Sequence, residues 1–212
     1  MKRPSSPVHR LAVLIATLPL PALAGGPTFD CAKAQGEVEK LICKDAALAA
    51  LDRQLGQVYQ AATAKAQGPL AARLREDQRG WVKGRNDCWK ANGQKTWITA
   101  TWTVGTVQGC VDAQYRLRIS ELQAVWRLLP PKTVSYACQN QPANELVANF
   151  FATDPPTIRA ERGDRSFTLW RVGAAGPYEG QNVDLLLQGN DLKFSVLDTN
   201  TGKTEVLLCK PR

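Results

Sequence analysis

Two adjacent prolines, Pro130-Pro131, divide this 212-residue chain where its hydrophobic pattern changes period. Proline has no backbone N–H to donate and disfavours helical geometry in the residue before it, so no helix runs through the pair. Upstream, from Asp45 to about Leu129, apolar side chains recur at steps of three and four, the spacing of helices. Downstream, from Thr133 to Cys209, they alternate with the two-residue step of strands. The pattern predicts an α + β chain with a helical domain over 25–130, a β domain over 131–212, and a leader over 1–24.

The leader sets the expected compartment. Lys2, Arg3 and Arg10 precede the apolar run Leu11 to Leu20, and Ala22-Leu23-Ala24 places small residues where a signal peptidase reads. Cleavage after Ala24 and a periplasmic or secreted location are expected. The run is shorter than the roughly 18 to 20 apolar residues of a membrane-spanning helix, so no membrane span is expected. The first cysteine is Cys31, well past the cleavage point, so no lipid anchor is expected either.

An oxidising destination gives a meaning to the six cysteines, Cys31, Cys43, Cys88, Cys110, Cys138 and Cys209. Pairing neighbours yields two local clips and one long clasp, each inside a predicted domain. The rival pairing joins Cys31 or Cys43 to Cys88 or Cys110. The single histidine, His9, lies in the leader, which leaves the remainder without an imidazole. Serine and cysteine triads normally need that base, and most zinc sites need histidine or free thiolates. No carboxylate pair stands out for glycosidase chemistry. The chain is therefore read as a non-enzyme, with no catalytic residue, metal or cofactor assigned.

Charge separates the halves further. Removing the leader lowers the formal net charge from +8 to +5. Residues 25–130 hold fifteen Lys or Arg against ten Asp or Glu, whereas 131–212 hold nine of each. A mildly basic helical domain suits an anionic envelope polymer or an acidic protein. Nucleic acid fits neither the compartment nor so modest a charge.

Asp45 is a good N-cap for a helix running to about Gln67, with Leu48, Leu51, Leu55, Val58 and Tyr59 on one face. A second helix from Pro69 to about Lys90 presents Leu74, Trp81, Arg85 and Cys88, and a third from about Thr106 to Leu129 presents Cys110, Tyr115, Ile119 and Leu122. A disulfide-stapled three-helix bundle follows. Asp52, Arg85 and Arg118 interrupt these apolar faces. An unpaired buried charge is costly, so the structural expectation is an ion pair of Asp52 with Arg85 or Arg118. The functional alternative is a ligand carboxylate or phosphate held by the two arginines. Trp97 and Trp102 mark a loop that either packs over the bundle or meets a partner. After the prolines, seven short runs read as strands of a small antiparallel barrel or sandwich, with hairpin turns at Gln188-Gly189-Asn190 and Asn200-Thr201-Gly202. A Cys138–Cys209 bond would tie the first strand to the last.

Two family resemblances follow from these residues. FDCAKAQGEVEKLIC, DAALAALD, QRGWVKGRNDC and CVDAQYRLRISEL, covering most of residues 28–123, closely resemble the N-terminal domain of the LprI family of envelope lysozyme inhibitors. VSYAC, FTLWRV, AAGPYEG with NVDLLLQG, and the terminal EVLLC resemble the MliC family of inhibitors of c-type lysozyme. That second resemblance implies a small antiparallel β-barrel with a disulfide between its first and last strands. It also implies loops whose serine and lysine enter the lysozyme cleft. Here the serine position holds Ala174, within Ala174-Ala175-Gly176-Pro177-Tyr178, and the lysine position before Gly189 holds Gln188. A neutral amide replaces an ammonium that would meet carboxylates through charge-assisted contacts.

The expected function is inhibition of lysozyme or a lysozyme-like muramidase by barrel loops that block the active-site cleft. Partner contact is assigned to Ala174, Gly176, Tyr178, Gln188 and Gly189. Such an inhibitor would serve evasion of host defence or immunity to a delivered toxin. The alternative is a non-inhibitory envelope adaptor that binds an anionic glycan or a protein through its basic helical domain. C-type lysozymes are themselves generally basic, so long-range steering favours contact through the charge-balanced barrel.

Overall fold

A computed structural model describes residues 25–93, 95–98 and 103–212. The leader with its cleavage point, and Trp102, lie outside the described residues. Four α-helices come first: α1 (Glu37–Lys44), α2 (Ala46–Lys65), α3 (Pro69–Asn86) and α4 (Val107–Val125). A short 3-10 turn, Asp87–Ala91, follows α3, and the two-residue strands β1 (Thr96–Trp97) and β2 (Thr103–Val104) pair before α4. The three long helices lie where the apolar spacing places them. The expected bundle of three gains a fourth member in α1, an eight-residue helix whose buried contribution is Val38 and Ile42.

The helix ends have local causes. Asp45 caps α2 by accepting hydrogen bonds from the N–H groups of Ala47 and Leu48. Pro69 opens α3, where its missing N–H costs nothing, and Thr106 caps α4 by accepting from Gly109. Helix α4 stops before Leu129 because Arg127 turns into the left-handed region at φ 46°, and the Leu128 N–H reaches back to the Gln123 carbonyl at 2.8 Å.

The disulfides join Cys31 to Cys43, Cys88 to Cys110 and Cys138 to Cys209. The first ties the N-terminal segment to α1, and the second ties the turn after α3 to the start of α4. Around them Val38, Ile42, Leu48, Leu55, Leu74, Val111, Tyr115 and Leu122 form the helical core.

After the prolines come β3 (Lys132–Cys138), β4 (Glu145–Phe151), β5 (Thr157–Arg162), β6 (Arg165–Arg171), β7 (Tyr178–Gly180), β8 (Val183–Gln188), β9 (Asp191–Leu197) and β10 (Thr204–Pro211). Each pairs antiparallel with its neighbour in sequence, and β10 pairs with β3 to close the barrel. Closure leaves no free strand edge in the barrel. The strand absent from the sequence reading, β7, is three residues long, too short to show an alternating pattern. Inward-facing Tyr136, Leu146, Ile158, Leu169, Leu185, Leu192 and Phe194 fill the interior.

The two parts are docked along α4. One stripe of that helix, Val111, Tyr115, Ile119 and Leu122, belongs to the helical core. A second stripe at the same spacing, Ala113, Leu117, Ser120 and Ala124, is also buried and lies toward the outer face of β5 and β6. Small side chains on that stripe let the helix lie close to the sheet. Ion pairs flank it, Arg116 with Asp154 and Arg127 with Glu161 at 3.3 Å.

The clasp Cys138–Cys209 closes a sequence separation of 71 residues, and they are directly paired across β3 and β10. Constraint of the unfolded chain by a loop of that length stabilises by about 4 kcal/mol. Replacing both cysteines with serine is expected to lower barrel stability by about that amount. Urea unfolding followed by tryptophan fluorescence checks it; an unchanged midpoint would remove the clasp from the barrel's stability.

Candidate functional site

The charged residues on the helical faces resolve into two separate arrangements. Asp52 on α2 is almost fully enclosed. Its Oδ2 accepts from both the N–H and the hydroxyl of Thr28 at 2.6 Å, and its Oδ1 accepts from the Tyr115 hydroxyl at 2.7 Å. Arg85 Nη1 donates to the same hydroxyl at 2.8 Å and stands 3.9 Å from Asp52 Oδ1. The expected Asp52–Arg85 pair therefore exists, but with a phenol as its bridge. The Asn86 side-chain oxygen accepts from the remaining Arg85 nitrogens at 3.2 and 2.9 Å, and the guanidinium lies over Trp81 and Tyr115. Every charge in this cluster is answered from within, which leaves it no free acid, base or nucleophile.

Arg118 does not join it, so of the two arginines open to Asp52 it is Arg85 that pairs. α4 points Arg118 away from Asp52: its Nη1 donates to Glu121 at 2.8 Å and its Nε to Gln78 at 3.1 Å. Arg85 is engaged by Tyr115 and Asn86, so the two arginines face different partners.

At the barrel, alternation of strand direction puts the loop after β6 and the turn after β8 at the same end. Ala174 and Gln188 are exposed there. Gly176 sits in a bend so tight that a Cβ would lie 2.0 Å from the Val172 carbonyl oxygen, so no other residue fits. Gly189 has φ +64°, the left-handed conformation that a hairpin turn here requires. Beside the turn at Gly189 the barrel opens into a hollow of about 360 Å³, lined by Lys132, Val134, Tyr136, Phe150 and Leu187. Sequence reasoning had not singled out this mouth, since alternation marks those positions only as core.

Tyr178 departs from its expected role. Its ring is 6% exposed and packs in the barrel core opposite Leu185, with the Arg171 guanidinium 5.6 Å from the ring. A side chain so placed shapes the loop from inside and cannot enter a partner's cleft. Trp97 lies in β1, but its side chain is outside the described residues. Among the described residues no cluster of acidic, histidine or cysteine side chains could hold a metal, and no helix is long and apolar enough to cross a membrane.

The decisive comparison falls on the helical part. Residues 31–124 match the family model described as Lysozyme inhibitor LprI. The chain is also similar to proteins named Lipoprotein LprI from Mycobacterium bovis (strain ATCC BAA-935 / AF2122/97) and from Mycobacterium tuberculosis strains CDC 1551 / Oshkosh and ATCC 25618 / H37Rv. Each is 26% identical over 185 residues, covering 81% of this chain and 85% of the relative. That coverage is more than the helical part alone can supply, so the similarity continues into the barrel. No solved structure is significantly similar. Within the matched range, Trp81, Arg85, Cys88, Tyr115, Arg118 and Leu122 lie in and around the buried helical core.

Tyr115 is the test of that core. Burial is the largest influence on its hydroxyl and pushes its pKa well above the ordinary value of 10.0; the Arg85 charge opposes the shift, and Asp52 reinforces it. The folded chain thus keeps a proton that the unfolded chain releases above about pH 10, so this stability is present below pH 10 and is lost as pH rises. Tyr115→Phe is expected to cost roughly 2 to 3 kcal/mol at neutral pH, because Asp52 and Arg85 each lose a charge-assisted hydrogen bond. It should also flatten the alkaline loss of stability above pH 10. Denaturant titrations at pH 7 and 10.5 read both effects, and an unchanged alkaline slope would dissociate Tyr115 from the proton linkage.

Proposed function

We propose that this protein is an exported inhibitor of lysozyme or a lysozyme-like muramidase, in which 25–130 and 131–212 act as two domains and the barrel end blocks the enzyme's cleft. The observation that carries the inhibitor reading is the match of residues 31–124 to a family described as lysozyme inhibitors, while contact through the barrel end rests on the resemblance of the loops at 174–178 and 188–189. The leader-like residues 1–24 and three disulfides support a periplasmic or secreted location. The relatives are named lipoproteins, whereas in this chain all six cysteine sulfurs are engaged in disulfides.

In this reading Ala174, Gly176, Gln188 and Gly189 make the contact, and Tyr178 holds the loop's shape. Inhibition is steric and hydrogen-bonded. Gln188 offers an amide to the acidic groups of a muramidase cleft, and the tight bend at Gly176 presents backbone polar groups beside it. The inhibitor resembles the MliC family in its barrel and strand-joining disulfide, with a changed set of contact residues. Host lysozyme and a toxin from a competing cell present the same kind of cleft, so defence evasion and toxin immunity use the same surface.

A second reading is favoured by the position of the family match itself. It covers the helical part alone, so an adaptor role, or an inhibitory contact through that part, needs no barrel loop.

The test is lysis of peptidoglycan by a panel of c-type, g-type and bacterial effector muramidases, with and without the oxidised chain. Stoichiometric inhibition is expected, weakened at least tenfold by Gln188→Ala or by Ala174→Trp, two exposed changes that leave the core intact. Inhibition that both variants retain would move the contact to the helical part. No inhibition across the panel would sink the inhibitor reading.

A further inference from the structure

The docking of the two parts creates a cleft of about 390 Å³ between α3 and α4 on one side and β5 and β6 on the other. Its barrel wall is Arg159 with Ser166 and Thr168. Arg159 Nη1 donates to the Thr168 hydroxyl and Nη2 to the Ser166 hydroxyl, both at 2.8 Å, which fixes the plane of the guanidinium. Donors on Nε and on both Nη atoms remain unspent. The carboxylates that act on Arg159, Glu161 and Glu121, are instead bonded by Arg127 and Arg118. Arg159 is thus a half-buried cation that makes no salt bridge among the described residues.

The inner wall brings a second unanswered donor. Arg118 is 6% exposed, and its Nη2 is buried without a hydrogen-bond partner among the described residues. A buried polar group left in that state typically costs 1–3 kcal/mol, and more when charged. Arg73 pairs with Asp77 at 3.9 Å at the rim, so the lining carries three arginines against the two carboxylates Asp77 and Glu121. Beside this polar wall, Leu70 and Val125 are exposed and Trp126 is partly buried, forming an apolar strip.

We propose that this cleft binds an acidic saccharide, its carboxylate on the Arg159 fork with Arg118 supplying charge from behind, its ring face on the strip of Leu70, Val125 and Trp126. Each part of the lining selects a part of that ligand. The prearranged fork matches the two oxygens of a carboxylate, which a neutral sugar lacks. The apolar strip covers a ring face, which a bare anion lacks. Asp77, Glu121 and the hydroxyls of Ser166 and Thr168 can accept from or donate to sugar hydroxyls around the rim. N-acetylmuramic acid whose lactyl carboxyl is free, as in glycan strands stripped of their stem peptides, carries this combination of carboxylate, ring and hydroxyls. The protein would then rest on the polymer that a muramidase cuts. The site does not depend on the inhibitor reading, since its lining shares no residue with the loops at Ala174 and Gln188.

Isothermal titration of the oxidised full chain, with no muramidase present, tests it using three probes: a disaccharide containing N-acetylmuramic acid, the neutral disaccharide diacetylchitobiose, and inorganic phosphate. The acidic disaccharide is expected to bind at least tenfold more tightly than either of the others, and to weaken at least tenfold in Arg159→Gln. Arg159 projects from the outer face of the barrel, and thermal unfolding of the variant verifies its fold. Equal binding of the neutral disaccharide, equal binding of phosphate alone, no binding of the acidic disaccharide, or unchanged affinity in a folded Arg159→Gln would each overturn the proposal. Comparison of the probes on the unaltered chain decides the matter even if the variant does not fold.

Discussion

Asp52 is a carboxylate held almost entirely away from water, and the helical part is arranged around keeping it answered. An unpaired charge in that position would cost several kcal/mol. Thr28 supplies two donors from the N-terminal segment, and Tyr115 supplies a third from α4 while receiving one from Arg85 on α3. Three segments distant in sequence therefore converge on one side chain of α2. The disulfides Cys31–Cys43 and Cys88–Cys110 hold the same segments covalently, so polar network and cross-links specify one packing of these helices.

Helix α4 carries that order outward. With one stripe in the helical core and another against β5 and β6, it cannot shift without disturbing both. The barrel is thereby fixed against the helices by its β5–β6 side, which leaves the end bearing Ala174 and Gln188 directed by a rigid support. In the proposed inhibitor such rigidity would leave little conformational freedom to lose on binding. The seam also places Arg118 and Arg159 in one cleft, although one belongs to a helix and the other to a strand.

The barrel shows how a turn sequence and a core residue exchange apparent roles. In AAGPY, tyrosine looks like the natural contact residue, yet the register Tyr178↔Leu185 points it inward. Gly176, two residues before it and likewise assigned to partner contact, has a steric requirement set by the Val172 carbonyl. Polarity and size suggest which residues can meet a partner; strand register decides which of them do.

Much of the architecture was legible in the chain itself. The proline pair, the change of apolar period, the Asp45 N-cap and the glycine turns are signals readable within short stretches of the chain. Helix α1 and strand β7 were not legible, because eight and three residues are too few to establish a period and are held in place by packing. The partners of the buried charges were likewise decided only in three dimensions. Sequence placed Asp52, Arg85 and Arg118 on apolar faces and required that they be paired. Which arginine meets Asp52, and that a tyrosine stands between them, depends on the rotation of α3 and α4 about their axes. That rotation is set by long-range packing, with α4 enclosed between the helical core and the barrel.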